Sequence, residues 1–338
     1  MEKRTILAGC AAALVFGAVT GVARADGASP SDLAGAAAPL ADTAEGAAAP
    51  KTRDHGEGGL NCLMGVERRK PDPWDDFARP VTNLSFHHPF IWNEIRPLFI
   101  YHAFPDSGIT EGGNLRAYAM QIHAKITDDV QFTAYKDGYV DFNPHRTLEE
   151  DHGWADLAFG FKFKVWENLE SPAIFTLGVG YETTSGDEEV LQGGDGDLID
   201  AFGSYARKIG PLNFIATAGF LIPLDSDEAV ETLHAHAHVD LPVTDHLSAL
   251  VEVNAFHYMS DAESNAGLGP SVPLGFEGFD YTNLGADDVN GNDVVTVGVG
   301  FRWFMTNDVS LGAAVELPVT DRDDVIDKRL TVDLVLRF

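Results

Sequence analysis

The densest chemistry in the chain is His234-Ala235-His236-Ala237-His238. In an extended strand alternate residues share a face, so all three imidazoles point one way, roughly 6.5 to 7 Å apart along the chain. Two imidazoles at that spacing can meet one metal ion, and Glu252 or Asn254 on the next strand falls on the same face, where the Glu252 carboxylate would complete a site. The competing reading is a row of polar residues lining a hydrophilic lumen, more positive below about pH 6.5 as the rings protonate.

Other candidate groups share that inward parity on their own strands. Asp156, Lys162, Lys164, Glu182, Asp200, Asp240, Arg302, Glu316, Asp333 and Arg337 form a mixed-sign set, suited either to a polar permeation path or to a salt-bridged plug. Catalysis finds no constellation: His246 and Ser248 have the same parity beside a turn, and no Gly-x-Ser-x-Gly elbow occurs. The run Asp288-Val289-Asn290-Gly291-Asn292-Asp293 opens like a calcium loop, yet Asp293 stands where that loop needs Gly and Val299 where it needs Glu. No enzyme and no cofactor is expected.

The elements that position these residues are strands. Phe159, Phe161, Phe163 and Val165 alternate with Gly160, Lys162 and Lys164. The same period of two recurs in Ala173 to Tyr181, in Val295 to Trp303 and in the closing run Leu330 to Phe338. Twelve candidate strands lie near 95–104, 114–124, 129–137, 154–166, 172–182, 197–208, 211–222, 232–241, 247–258, 293–304, 308–317 and 330–338. Alternation is weakest in the first, second and sixth. Short turns such as Lys208-Ile209-Gly210-Pro211 alternate with long acidic connections, among them 138–153, 183–196 and 259–292. Two ends of different character, strands long enough to cross a hydrocarbon core, and Trp154, Trp166, Tyr181, Trp303 and Phe304 at strand ends predict a transmembrane barrel. The fold class is therefore all-β: an antiparallel up-and-down β-barrel of about twelve strands spanning 95–338, closed because lipid cannot satisfy an open edge.

The N-terminus predicts export. Lys3 and Arg4 precede an uncharged run to Ala23, and Ala23-Arg24-Ala25 presents a signal-peptidase site, so 1–25 reads as a signal peptide cleaved near Ala25. Residues 26–59, rich in Ala, Pro, Gly and Asp, read as a disordered tail. Residues 60–94 mix Pro with aromatics and read as a plug or a periplasmic arm. With 52 acidic against 23 basic side chains and a formal charge of −29, the chain would repel nucleic acid. The 2 Cys exclude a disulfide framework, and Cys62 reads as inert.

The stretch Gly153 to Phe163, the loop entry Thr184-Ser185-Gly186 and the closing Leu330 to Phe338 resemble the "MetA-pathway of phenol degradation" family of outer-membrane barrels, over roughly 153–338. Family members often carry Pro before the Ser/Thr-Gly of that loop; here Thr183-Thr184-Ser185-Gly186 lacks it. The resemblance implies a barrel that takes up hydrophobic or aromatic compounds. The expected protein is an outer-membrane barrel passing a small-molecule solute, in contact with lipid and delivered by the barrel-assembly machinery, which reads the C-terminal strand ending in Phe338. The alternatives are a non-transporting structural or adhesive surface barrel with acidic external loops, and a soluble secreted β-protein.

Overall fold

The computed structural model describes residues 72–107, 110–146, 148–193, 196–263, 280–283, 289–320 and 325–338. The signal peptide, the tail, Cys62, residues 60–71 and Asp288 lie outside the described residues.

Fourteen strand segments build one sheet: β1 (Glu94–Ala103), β2 (Gly113–Lys125), β3 (Val130–Lys136), β4 (Tyr139–Pro144), β5 (Asp151–Trp154), β6 (Ala158–Asn168), β7 (Ala173–Glu182), β8 (Leu198–Ile209), β9 (Leu212–Pro223), β10 (Thr232–Thr244), β11 (Leu247–Tyr258), β12 (Asp293–Phe304), β13 (Val309–Pro318) and β14 (Lys328–Arg337). Each segment from β6 to β14 pairs antiparallel with its sequence neighbour, and β1 pairs with both β14 and β2, which closes the ring. β3 and β4 are two halves of one strand, since both pair with β2; β5 and β6 are likewise halves of the next. The result is a closed antiparallel barrel of twelve strands. Among the described residues no helix is long and apolar enough to cross a membrane.

The stretch 138–153, read from sequence as a loop, instead carries β4 and β5. The interruption sits at Asp137-Gly138. Gly138 has φ of 125°, and a Cβ there would stand 2.6 Å from the Tyr118 carbonyl, so glycine alone fits. The Asp137 carboxylate accepts the Met120 N–H left over by the break, at 2.7 Å.

The polarity of the wall is inverted relative to a water-soluble domain. On β6, Phe159, Phe161 and Phe163 are 40%, 41% and 43% exposed, while Lys162 between them is 1% exposed. On β12, Phe301 and Trp303 face out and Arg302 faces in, fully buried. An apolar outer band around a charged interior is the pattern that suits a closed sheet solvated by lipid. Five short turns, the start of β1 and the end of β14 share one rim; the longer connections share the other. At the first rim Phe338 donates its N–H to the Asn93 carbonyl at 3.1 Å.

Candidate functional site

Residues 72–93 lie inside the barrel, reached from the short-turn rim. Pro80 and Pro89 deny this segment a helix or a ladder, and its aromatics make a core of their own. Trp74, Phe77, Phe86, Phe90 and Trp92 cluster with Ile174, Ala206 and Ile215 of the wall, and the Phe90 and Trp92 rings stack at 4.4 Å. Irregular backbone at this depth must find partners for its N–H and C=O groups, because a buried polar group left alone costs on the order of several kcal/mol. The inward side chains supply them.

Glu252 accepts the N–H groups of Val81 and Thr82, both at 2.8 Å, and Asp240 accepts that of Ala78 at 3.1 Å. In the other direction Arg302 donates to the Arg79 carbonyl at 3.0 Å, Arg96 to Val81 at 2.8 Å, Lys162 to His88 at 2.5 Å and Gln131 to Trp92 at 2.6 Å. Ser204 and Thr217 both donate to the His87 carbonyl at 2.5 Å. Much of the mixed-sign lumen is thus the solvation shell of the chain's own N-terminal segment.

The remaining candidates fall into ion pairs on the same inner surface. Asp333 lies between Arg96, at 2.6 Å, and Arg302, which meets both its oxygens at 2.9 Å. Arg337 pairs with Asp75 at 2.9 Å and lies over the Trp92 ring at 3.5 Å. Glu182 binds Lys136, and Asp156 accepts the N–H groups of Gly186 at 2.8 Å and Gly193 at 3.2 Å. Glu316 accepts from Asn254 at 2.7 Å and from Thr296. Lys164, nearer the rim and only partly buried, bridges Asp129 and Glu167 at 3.1 and 3.0 Å.

The histidine row is fully buried and faces inward. Register sets His238 opposite Glu252 and His236 opposite Asn254. His234 meets Asp200 and His236, both at 3.0 Å; His236 meets Asn254 at 2.9 Å; His238 meets Glu252 at 2.7 Å and Asp240 at 3.3 Å. Every ring nitrogen of the row therefore has a hydrogen-bond partner. Phe86 of the inner segment stacks on His236 at 5.3 Å.

Toward the long-loop rim the interior turns apolar. Leu98, Ile100, Leu115, Ala117, Val140 and Phe142 point inward there and pack with Leu84 of the inner segment and Tyr281 of the 259–292 connection. Asp280 holds Arg329 through both oxygens, at 2.7 and 2.9 Å, and the buried Tyr281 hydroxyl donates to the Asp137 carbonyl at 2.5 Å. Burial, then the Asp280 and Asp137 charges, pushes the Tyr281 phenol well above its ordinary value, which keeps it a donor. A cavity of about 60 Å³ lies between the two intruding pieces, bounded by Leu84 and Ser85 on one side and Asp280 and Asn283 on the other. Lys136 and Glu182 give it a polar wall, and Leu221, Val230, Phe256 and Tyr258 an apolar one.

Sequence reasoning missed Arg79, His87, His88, Glu94, Arg96, His123 and Arg329, all buried. The signal for Glu94, Arg96 and His102 was present as a period of two along β1. Apolar residues on both faces of that strand masked it.

Among solved structures the chain is similar to the COG4313 outer membrane channel from Pseudomonas putida F1, with 13% identity and a TM-score of 0.52 over 80% of this chain and 100% of that one. It is similar more loosely to the KdgM porin, with 8% identity and a TM-score of 0.43 over 72% of this chain and 99% of that one. At these identities the likeness concerns the fold. No family model and no curated protein matches the chain.

Proposed function

We propose that this protein is an outer-membrane channel for passive passage of a small solute, held shut at rest by residues 72–93. One observation carries the reading: the lumen is filled by a piece of chain fastened through separable side-chain contacts, not woven into the sheet. Such a segment can leave while the twelve-strand wall stays closed. The apolar outer band of the wall supports a barrel surrounded by lipid and argues against a soluble secreted protein. The short-turn rim, with the end of β14, is then periplasmic, the acidic connections are external, and Phe338 ends the strand read by the assembly machinery. The resemblance to the MetA-pathway family and the apolar inner surface near Leu98, Ile100, Val140 and Phe142 favour a hydrophobic or aromatic solute.

A second reading, a closed surface scaffold that transports nothing, draws on the intrusion of Asp280 and Tyr281 from the opposite rim. Planar-bilayer recording separates the two. For a channel, the full chain gives rare openings and a variant with weakened anchors, Glu252→Gln, gives frequent ones. Silence from both proteins, each showing the heat-dependent gel migration of a folded barrel, would favour the scaffold.

A further inference from the structure

At the short-turn rim three side chains converge that the channel reading does not use. Glu94 opens β1, His123 sits directly across from it on β2, and His88 comes from the inner segment. We propose that His88, Glu94 and His123 bind a divalent transition-metal ion that clasps the inner segment to the wall.

The geometry is that of a three-ligand site. His88 Nε2 and His123 Nδ1 each lie 3.4 Å from Glu94 Oε1, and one ligand atom from each residue lies within 4.8 Å of the others. Ligands held about 2.1 Å from a tetrahedral zinc ion stand about 3.4 Å apart. All three residues are buried, at 0%, 0% and 3% exposure for His88, Glu94 and His123. Among the described residues Glu94 Oε2 and His123 Nδ1 have no hydrogen-bond partner. Buried polar atoms are rarely left so, and two of them on two of the three converging residues ask for a ligand. Two imidazoles and a carboxylate are the donor set of zinc and its neighbours.

Several contacts oppose the ion and define what its binding must move. Arg79 holds Glu94 Oε1 at 2.5 Å and also donates to Gln121 at 3.0 Å, and Lys162 adds a second cation nearby on the His88 carbonyl. The Phe90 N–H points at His88 Nδ1 at 3.2 Å, and an Arg79 nitrogen lies 3.5 Å from His123 Nε2. These contacts assign the ring protons to His88 Nε2 and His123 Nδ1 in the ion-free protein. On loading, each neutral ring keeps one proton on its other nitrogen, so no net proton is released. Arg79 withdraws onto Gln121, and the Phe90 N–H turns away. Phe90 stacks on Trp92 at 4.4 Å, and His88 lies 5.2 Å from the same indole, so the indole reports the event. Ion binding is independent of whether the lumen conducts.

The test is titration of the full-length, chelator-treated protein in detergent with Zn²⁺, followed by tryptophan fluorescence, and with Co²⁺, followed by its visible absorption. One equivalent binds with a fluorescence change and a tetrahedral cobalt band. His88→Gln and His123→Gln each weaken it at least about tenfold, Arg79→Gln tightens it, and His236→Gln leaves it unchanged. Heat-dependent gel migration identifies the variants that remain folded. Absence of binding to the wild type overturns the clasp, as does equal affinity in folded His88→Gln and His123→Gln. Loss of binding in His236→Gln alone transfers the ion to the histidine row and also overturns it.

Discussion

Thr82 gives Glu252 two hydrogen bonds, one from its backbone N–H at 2.8 Å and one from its hydroxyl at 2.6 Å. The other Glu252 oxygen takes the Val81 N–H and faces His238 at 2.7 Å. One carboxylate on β11 is therefore the densest anchor of the inner segment.

Glu252→Gln keeps the volume and removes one of the two acceptors, leaving a buried N–H facing an amide NH₂. An orphaned buried donor costs about 1–3 kcal/mol, and about 1.4 kcal/mol is a tenfold change in an equilibrium. Single-channel recording is expected to give a roughly tenfold or larger rise in open probability. An unchanged value would mean that this anchor does not hold the segment.

Gly298 tests the same contact from the wall. A Cβ at this position would stand 2.5 Å from Thr82 Cγ2. Gly298→Leu is expected to push the segment out and raise conductance with the barrel intact, and Gly298→Ala to do so more weakly. Equal currents in all three proteins would count against a close fit at this point.

Asp333 neutralises Arg96 and Arg302 together, with no exposed atom to share the charge. Removing one partner of a buried ionic group costs about 3–5 kcal/mol. Asp333→Asn is expected to lower the temperature at which the folded gel band disappears. Stability equal to wild type would show that the two guanidinium groups find other partners.

Asp197, just ahead of β8, ties down the long connection that follows β7. Its carboxyl is held below the usual carboxylate value, first by the Tyr181 hydroxyl and then by the Thr184 N–H at 3.0 Å. A depressed native value means that the tie is complete above the unfolded value near about pH 4 and is lost as pH falls through the lower native one. The protection of the Thr184 amide, its exchange relative to the intrinsic rate at each pH, is expected to fall as pH drops through the lowered native value, and Asp197→Asn to reduce that protection already at neutral pH. Protection indifferent to both changes would remove the tie.

The wall was legible in the sequence wherever one face is apolar and the other polar. Phe159 to Val165, Val295 to Trp303 and Leu330 to Phe338 are such runs, and they became β6, β12 and β14. β1 and β2 were faint for a physical reason. Near the long-loop rim Leu98, Ile100, Leu115 and Ala117 point inward to meet Leu84 and Tyr281, so both faces of those strands are apolar and the alternation fades. The short run Tyr139 to Pro144 was hidden for a related reason, since Val140 and Phe142 face the same core. The course of residues 72–93 had no period to read, because side chains distributed around the whole barrel dictate it. The histidine row and Glu252 on the neighbouring strand announced themselves by spacing and parity; the partner Asp200, two strands away on β8, depended on the register of β8, β9 and β10.

The anchoring of that segment also ties the beginning of the barrel to its end. It precedes β1, yet Asp200, Asp240, Glu252 and Arg302 lie 113, 162, 170 and 223 residues downstream of the groups they hold. Most of the anchors come from strands that follow β7, and contacts of such sequence separation carry a large loop-closure cost. The segment that precedes the first strand finds its complete set of partners only in a ring with every strand in register, so its seating reports the closure of the whole wall.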